Sequence, residues 1–439
     1  MGTFYRVVEA DLERDMPAIA GLISRVFAGG EYADEIAREY VGNCNYDPRV
    51  TRLVWDGERL AHHWGVWGYE MRMESALLRV AGIGAVATDE AYRKQGLMER
   101  AARASFEAML EAGYDLSILR GRHYVKYGYE RAWNYVTYRL GASHGAEIPS
   151  DPPQPYRALQ AADFAALTAL YNREYAAFSG SAVRPTYRAF KSEGLEASYY
   201  GWFGADGSLA GFVRALPGEG EDSKHLLCLE AAGDPQQCLV VLGELFRKGQ
   251  PPDPAAGAEA ERKPFATLSF FTLPHLHPLL QRIRRGACLV ETQYFGNTGW
   301  RVRLVNLGST LEKLRPLLEA RLRRSHLAGW QGTLRLEAEA LTGHSLRQAQ
   351  GTDASAGSAT VSASGALLEI DRGQVTLRAH GESENILRGG AALARLLIGS
   401  DDPAEVIRQE GMQCHGAAAE LAEVLFPNLY PMLSHWDEF

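Results

Sequence analysis

The chain opens with apolar residues at helical spacing. The residues that share one face are Met16, Ile19, Leu22, Ile23, Val26 and Phe27. Asp11 precedes them as a candidate N-cap, and Gly29-Gly30 follows as a stop signal. The pattern therefore predicts a first helix between these points.

Segments rich in β-branched and aromatic residues follow this helix. Strands are predicted at 53–55, 60–73, 76–88, 114–119 and 131–140, with Asp56-Gly57 as a turn. A second helical pattern covers 97–112 and stops at Gly113. Strands that alternate with helices predict an α/β domain.

A proline-rich stretch at 149–155 reads as a linker, because proline removes backbone donors and favours extended conformations. Beyond it, the earlier order of elements returns. The segments are a helix at 161–178, strands at 199–203, 209–216 and 225–230, a helix at 236–246 and a strand at 267–271. The sequence thus predicts that one architecture is used twice.

A third unit is predicted from near Trp300. Its elements are a strand at 301–305, a helix at 310–323, and strands at 332–340, 366–370 and 374–379. The segment 350–364, rich in Ser, Ala, Gly and Thr, is either a loop or a weak edge strand. The predicted domains are 1–148, 149–297 and 298–439.

Composition limits the class of protein. A chain of 439 residues with 46% hydrophobic and 23% charged residues is expected to fold into two or three globular domains. Neither a membrane span nor a signal-peptide core is visible, so we expect a cytoplasmic protein without a membrane partner. The net charge of −8 argues against a nucleic-acid partner and suits a cationic substrate.

The positions of the cysteine and histidine residues do not suggest a metal site. The five cysteines stand at scattered positions without ligand spacing, which predicts ordinary buried thiols. His62 and His63 are neighbours in a predicted strand, where successive side chains face opposite ways. Trp64, Trp67 and Tyr69 form either core or the lining of an acceptor pocket.

The turn Arg93-Lys94-Gln95-Gly96-Leu97-Met98 carries the strongest chemical signal. It joins a strand containing Val86, Ala87 and Thr88 to the start of a helix. A helix N-terminus offers unpaired N–H groups, and glycine lets the backbone approach a pyrophosphate closely. The equivalent turn of the second domain, 231–235, lacks the Arg-x-x-Gly spacing, so we expect only the first domain to bind such an anion.

This arrangement resembles the acetyl-CoA-binding core of the GNAT superfamily of N-acetyltransferases. The segment His123-Tyr124-Val125-Lys126-Tyr127-Gly128-Tyr129 also resembles the Tyr-x-x-Phe-Gly-Tyr element of enhanced intracellular survival proteins, with Tyr127 in place of phenylalanine. The ending Trp436-Asp437-Glu438-Phe439 resembles the acidic-aromatic C-terminus of that family. The resemblance implies tandem GNAT folds, the second degenerate, followed by a sterol-carrier-like domain.

The same resemblance implies roles for particular residues. Tyr124 corresponds to the general acid, and the main-chain carboxylate of Phe439 to the general base. Backbone groups of Val86, Ala87 and Thr88 align the thioester, while residues 93–98 hold the pyrophosphate of acetyl-CoA. Two alternatives stay open from the residues themselves: Tyr124 can be a packed aromatic, and Glu438 either contacts a cationic substrate or is a solvated charge.

The leading functional hypothesis is an acetyl-CoA-dependent N-acetyltransferase. The resemblance implies a small amine acceptor of the aminoglycoside or polyamine class and a symmetric homo-oligomer, with six copies as the suggested number. Two alternatives are an acetyltransferase acting on lysines or N-termini of proteins, and a lipid-binding protein whose third domain works beside a vestigial core.

Overall fold

The computed structural model describes the following residues of the chain: 4–27, 29–30, 33–35, 37, 45–146, 148–149, 154–186, 198–218, 224–249, 262–296, 298–338, 365–434 and 437. The predictions for 350–364, for Glu438 and for Phe439 lie outside these residues. The chain divides into two units. The first unit contains the described residues of Met1–Trp133 and Phe295–Pro431, and the second contains those of Asn134–Tyr294 and Met432–Glu438.

The strands are numbered in chain order. They are β1 (Arg6–Glu9), β2 (Arg52–Asp56), β3 (Arg59–Met73), β4 (Ala76–Thr88), β5 (Leu116–Arg120), β6 (Glu130–Arg131), β7 (Tyr135–Gly141), β8 (Tyr156–Ala158), β9 (Tyr199–Phe203), β10 (Leu209–Pro217), β11 (His225–Ala232), β12 (Thr267–Phe270), β13 (Leu289–Gln293), β14 (Trp300–Leu304), β15 (Gln331–Glu337), β16 (Gly365–Asp371), β17 (Gln374–Arg378), β18 (Asn385–Arg388) and β19 (Gln413–His415).

The helices are numbered in the same way. They are α1 (Leu12–Phe27), α2 (Ala33–Glu35), α3 (Leu97–Glu111), α4 (Ala142–Ala146), α5 (Phe164–Glu174), α6 (Pro235–Lys248), α7 (Pro278–Ile283), α8 (Leu307–Arg324), α9 (Leu393–Leu397), α10 (Pro403–Gln409) and α11 (Ala418–Leu425). Short 3₁₀ turns include Glu90–Tyr92 and Arg122–Tyr127. The predicted α/β class is confirmed.

Two seven-stranded sheets share one plan, as the repeated order of elements predicts. The first sheet runs β1-β2-β3-β4-β5-β14-β6, and the second runs β8-β9-β10-β11-β12-β7-β13 when read from the corresponding edge. In both sheets the fourth and fifth strands are parallel and the other neighbours are antiparallel. The pairing pattern therefore repeats strand by strand.

The single strand predicted at 131–140 is wrong. Its residues form two strands in different sheets: β6 pairs with β14 in the first sheet, and β7 pairs with β12 and β13 in the second. The predicted strand at 301–305 is β14, which also pairs with β5 in the first sheet. Short-range patterns give the extended conformation of such residues but carry no information about which sheet they join.

The third sheet belongs to the first unit and runs β17-β16-β15-β18-β19. Helix α8 packs on it through residues that recur at helical spacing and are buried: Leu307, Thr310, Leu311, Leu314, Leu317, Leu318 and Leu322. Asn306 caps this helix, because its side chain accepts a hydrogen bond from the Ser309 backbone. A C-terminal sheet is thus present, and its sterol-carrier likeness remains a prediction.

Helix α3 holds the turn at residues 93–98 against the first sheet. Its buried residues, Leu97, Ala101, Ala102, Ser105 and Met109, recur at helical spacing and face the sheet. They share a core with residues of β2 to β4 that include Val54, Trp64 and Ile83. Since Leu97 is the first residue of the helix and is 2% exposed, this packing holds the turn before it in a defined place.

Candidate active site

The turn that precedes α3 exposes a helix N-terminus without a side-chain cap. Gly96 is the N-cap residue and adopts φ 74°, and Lys94 adopts φ 62°. A Cβ at Gly96 would meet nothing within 4 Å, so the space in front of the first helical turn is open. The N–H groups of that turn, which an Asp or Ser cap would otherwise occupy, face this space. Such an arrangement suits an anion.

Positive side chains surround the opening. Arg93 and Lys94 are exposed, and the Arg93 guanidinium lies 3.9 Å from the exposed Glu90 carboxylate. Gln95 donates to the Ala91 carbonyl at 3.2 Å and accepts a hydrogen bond from the Tyr5 hydroxyl. Cations at a helix N-terminus are unfavourable by themselves, so a bound anion would relieve their repulsion with the helix dipole.

Asp89 anchors the turn to the sheet, a role that the sequence analysis missed. Its side chain accepts hydrogen bonds from Arg59 at 2.9 and 3.1 Å and from the Ala91 backbone at 3.2 Å. Burial opposes its ionisation, but the bonds to Arg59 and Ala91 outweigh burial and hold the pKa of Asp89 below its usual range. An Asp just before a short acidic turn is an N-cap signal, which could have identified it.

Strands β4 and β5 separate at the same edge. Their parallel register runs from Val80–Leu116 to Gly82–Ile118 within the two described strands. Strand β4 continues for six more residues to Thr88. The backbone of this continuation therefore has an open side along which an extended ligand can add hydrogen bonds, as a further strand would.

A β-bulge interrupts β4 within this open stretch. The register with β3 passes from His63–Ala87 to Gly65–Gly84, so Ala85 and Val86 together stand opposite Trp64. Ala85 adopts φ 46°, which is a left-handed conformation. Bulges of this kind redirect backbone groups away from the ladder. Of the predicted cofactor residues, Val86 lies in this bulge, and Ala87 and Thr88 follow it.

Tyr124 lies directly beyond β5, on the 3₁₀ turn Arg122–Tyr127. Its ring meets the Trp64 indole edge-on, with centroids 5.8 Å apart, and packs against Tyr129 at 6.4 Å. Burial raises the pKa of the Tyr124 hydroxyl, so it stays protonated at neutral pH. The hydroxyl forms no hydrogen bond with any residue that the structure describes, which leaves its proton available to a ligand.

Two further polar groups beside Tyr124 have no hydrogen-bond partner in the part of the chain that the structure describes. The Trp64 indole N–H and the Tyr127 hydroxyl are buried without a hydrogen-bond partner among the described residues. The Trp64 and Tyr127 rings pack edge to face, with centroids 6.4 Å apart. A buried unpaired polar group costs free energy, so these two atoms are available to a polar ligand or a water molecule.

The structure brings several predicted residues around one cluster. Val86, Met98 and Tyr124 all pack against the core that contains Trp64 and Leu97. A groove of about 470 Å³ starts at Gln95 and Gly96 and follows the outer face of α3, past Arg100 and Arg103. The groove touches the turn but is not lined by described residues of β4 or by Tyr124, which are related to the turn through the shared core of the first unit. An elongated, anionic acyl carrier fits these features.

The corresponding region of the second unit is filled by its own side chains. Asp234 caps helix α6 and accepts hydrogen bonds from Gln236 and Gln237 at 2.7 and 2.9 Å, so a carboxylate already occupies that helix N-terminus. His277 Nε2 lies 3.0 Å from the Ala231 carbonyl on β11.

Two hydroxyl groups fill the rest of this edge. Thr272 Oγ1 donates to the Leu229 carbonyl at 3.1 Å, and the Tyr175 hydroxyl accepts from the Ala231 N–H at 3.4 Å. The backbone that is open in β4 is therefore occupied in β11. The sequence showed that this turn lacks the Arg-x-x-Gly spacing, but it did not predict that side chains of the same unit would occupy the edge of β11.

The end of the described chain is fixed inside the second unit. Asp437 accepts hydrogen bonds from Arg184 at 3.0 Å, Thr186 at 2.6 Å and Tyr171 at 3.1 Å. Glu438 and Phe439, the predicted substrate-binding residue and base, lie outside the described residues. Among those described, no cluster of metal-binding side chains occurs, and no described helix is long and apolar enough to cross a membrane.

Comparison with known proteins found one family match, in the N-terminal part of the chain. Residues 8–132 match the family model described as an acetyltransferase (GNAT) domain. No curated protein matches the sequence. The fold resembles a conserved protein of unknown function from Enterococcus faecalis V583, with 16% identity, a TM-score of 0.71, and coverage of 98% of this chain and 99% of that one.

Two further solved structures share the fold over the same length. A GCN5-related N-acetyltransferase from Anabaena variabilis is 15% identical, with a TM-score of 0.69 and coverage of 98% and 99%. Eis1 from Mycobacterium abscessus is 14% identical, with a TM-score of 0.62 and the same coverage. At these identities the likeness establishes the fold that is shared.

Proposed function

We propose that this chain, whose residues 8–132 are a GNAT acetyltransferase domain, transfers an acetyl group from acetyl-CoA to a primary amine of a small cationic acceptor. The observation that carries the proposal is the contrast between two helix N-termini. Gly96 leaves the amides before α3 open, whereas the Asp234 carboxylate closes those before α6. Only the first is suited to an exogenous pyrophosphate.

Residues of the turn would hold the diphosphate of the carrier. The backbone of Gln95, Gly96, Leu97 and Met98 supplies N–H groups, and Arg93 and Lys94 supply positive charge. The open edge of β4 at Val86, Ala87 and Thr88 would align the pantetheine arm and the thioester carbonyl through backbone hydrogen bonds. Acetyl-CoA itself supplies an activated acyl group on a thiolate leaving group.

Proton transfers are assigned to two groups. Tyr124 would donate its proton to the departing thiolate, and burial keeps this phenol protonated at working pH. The main-chain carboxylate of Phe439 would accept the proton of the attacking amine, for which its pKa must be raised above about 3.5 by burial. Glu438 would contact the cationic acceptor. The last two assignments rest on resemblance alone.

The acceptor class follows from the same resemblance and from charge. A polyamine or aminoglycoside suits a chain of net charge −8, and acetyl-CoA metabolism suits a cytoplasmic location. We also propose a homo-oligomer without a nucleic-acid partner. A lipid-binding protein with a vestigial core is less well supported. In such a protein the N-terminus of α3 would have no ligand, and we would expect a side chain to cap it, as Asp234 caps α6.

The test combines binding with a screen of acceptors. The protein is titrated calorimetrically with acetyl-CoA, and thiol release is then measured with aminoglycosides, polyamines and lysine peptides. We expect micromolar acetyl-CoA binding and release of free thiol with small polyamines. Failure to bind acetyl-CoA at millimolar concentration would contradict the enzyme, and activity confined to peptides would replace the acceptor class.

A further inference from the structure

The bulge in β4 is a strained backbone feature that a side chain holds in place. Ala85 adopts φ 46°, a conformation that L-residues other than glycine adopt at a cost. Residues in strained conformations persist where surrounding contacts hold them in place, and they concentrate at functional sites. The Ala85 carbonyl accepts a hydrogen bond from His63 Nδ1 at 2.8 Å, across the strand pair.

A second hydrogen bond fixes the imidazole. The Tyr46 hydroxyl lies 2.8 Å from His63 Nε2, and the planes of the two rings are nearly parallel, with an interplanar angle of 5°. A carbonyl can only accept, so Nδ1 carries the proton and Nε2 accepts from the Tyr46 hydroxyl. Burial lowers the pKa of His63 to about 4, so the ring is neutral and keeps this tautomer at neutral pH.

Gly65 leaves the space that the His63 imidazole occupies. A Cβ at Gly65 would lie 2.5 Å from His63 Cε1 and 2.9 Å from the Gly84 carbonyl oxygen, so a larger residue would displace the ring or the bulge. Tyr46 is in turn braced by Trp67, whose ring meets it edge-on at 5.2 Å. His63 itself is fully buried.

Peptide planarity connects this hydrogen bond to the active region. The Ala85 carbonyl and the Val86 N–H belong to one trans peptide unit, where they point in opposite directions. His63 and Trp64 lie on opposite faces of β3. A carbonyl drawn toward His63 therefore turns the Val86 N–H toward the face of Trp64, against which Tyr124 packs.

We propose that His63, held by Tyr46, is a positioning residue that aims the Val86 amide at the carbonyl oxygen of the bound thioester. This inference rests on the proposed acetyltransferase function. His63 touches neither substrate, and it acts through the Ala85–Val86 peptide unit. Removing it frees the peptide to rotate, and the amide then no longer meets the oxygen on which negative charge develops.

The experiment uses three variants of the full chain and one matched control. His63→Leu removes both hydrogen bonds. His63→Asn keeps a donor near the position of Nδ1, and Tyr46→Phe removes the hydroxyl that bonds Nε2. The control is His277→Leu in the second unit, because His277 is equally buried and also bonds a strand carbonyl, that of Ala231. Each protein is measured for kcat, acetyl-CoA Kd and thermal midpoint.

We expect His63→Leu to lower kcat about tenfold to a hundredfold, the range that follows a small misplacement of a catalytic group, with Kd changed less than about threefold. His63→Asn should recover most of kcat, and Tyr46→Phe should fall between. His277→Leu should lower the midpoint and leave kcat unchanged.

Wild-type kcat in His63→Leu, or equal losses in His63→Leu and His63→Asn, would overturn the positioning role. If His63→Leu does not fold, the other two variants decide. The positioning role is then overturned if Tyr46→Phe keeps full kcat and if the loss of kcat in His63→Asn is no larger than its loss of thermal stability explains. A wild-type protein that neither binds acetyl-CoA nor releases thiol would refute the proposed function instead, so the two failures are distinguishable.

Discussion

Arg184 Nε donates a hydrogen bond to Asp437 Oδ1 across 3.0 Å, although the two side chains are only 1% and 0% exposed. The same guanidinium lies 2.5 Å from the Glu230 carboxylate. Burial opposes ionisation of Glu230, but the adjacent guanidinium holds the pKa of that carboxyl below its usual range. One buried cation thus serves two buried carboxylates.

Replacing this cation should destabilise the second unit strongly. Arg184→Met leaves the Glu230 and Asp437 carboxylates buried without the cation that they share, and breaking a buried ion pair from one side costs about 3–5 kcal/mol. Urea unfolding of the full chain should show this loss. The matched control is Arg157→Met, because Arg157 pairs with Asp163 at the surface and such pairs contribute less than about 1 kcal/mol. Equal losses in the two variants would contradict this account.

Extending the chain beyond Phe439 should separate catalysis from binding. The proposed general base is the main-chain carboxylate of Phe439, two residues after Asp437. A short Gly-Ser extension displaces that carboxylate, and we expect a loss of kcat of about a hundredfold, typical for a general base. Acetyl-CoA affinity, measured by calorimetry, should not change. An N-terminal extension of the same length is the control, and full activity of the C-terminal variant would refute the role of Phe439.

Closing the helix N-terminus before α3 should weaken acetyl-CoA binding. Gly96→Asp places a carboxylate where Asp234 stands before α6, so it competes with the pyrophosphate for the same amides. We expect the acetyl-CoA Kd to rise at least about tenfold, equivalent to about 1.4 kcal/mol.

The control for this variant lies at the other end of the same helix. Gly113 has φ 76°, close to the φ 74° of Gly96, and a Cβ at either position would meet nothing within 4 Å. Gly113→Asp therefore introduces the same charge and a comparable backbone strain. Its acetyl-CoA Kd should stay within about twofold of wild type, and a parallel rise in both variants would assign the effect to strain or charge.

Removing the Tyr124 hydroxyl should lower turnover without affecting the fold. Tyr124→Phe keeps the ring that packs on Trp64 and loses only the proton donor, so kcat should fall about a hundredfold or more at unchanged acetyl-CoA Kd. Tyr129→Phe is the matched control, because its hydroxyl is bound to Ser117 at 2.6 Å. That variant should lose stability and retain kcat. Unchanged turnover in Tyr124→Phe would leave Tyr124 as a packed aromatic.

Stability should fall as pH drops from about 6.5 to about 4. Burial lowers the pKa of His62 to about 3, with a smaller contribution from nearby His63, and lowers the pKa values of His63 and His277 to about 4. In this window the unfolded chain binds protons that the native chain excludes. Each histidine then removes about 1.4 kcal/mol of unfolding free energy per pH unit.

Denaturation at several pH values measures this slope. His277→Leu should reduce it by the contribution of one histidine, whatever its effect on stability at pH 7. A slope that does not differ between wild type and this variant would show that His277 titrates normally in the native protein.

Local patterns predicted most elements because their signals lie within one segment. The strand predicted at 76–88 is β4 without change, and the helix predicted at 97–112 is α3 to within one residue. The apolar repeat that ends at Phe27 predicted α1 correctly, although Phe27 itself is 61% exposed. Periodicity identifies a face but not the last residue that the face covers.

Features that depend on register could not be read from the sequence. The contact of His63 with Ala85 requires the bulge opposite Trp64, and the filling of β11 requires Thr272 and His277 to fold back on it. Histidine pairs in strands have no sequence property that distinguishes a structural from a positioning role. The open turn at Gly96 was predictable, because its glycine and basic residues are contiguous.

The place of β14 in the first sheet has a consequence for the order of synthesis. Strand β6 is held by β14, yet the whole segment Asn134–Tyr294 is translated between them. A ribosome therefore releases β5 and β6 long before the strand that joins them exists. The stretch that matches the family model, residues 8–132, accordingly ends with an unfinished sheet edge, and a gene fragment that is to complete this sheet must also encode β14.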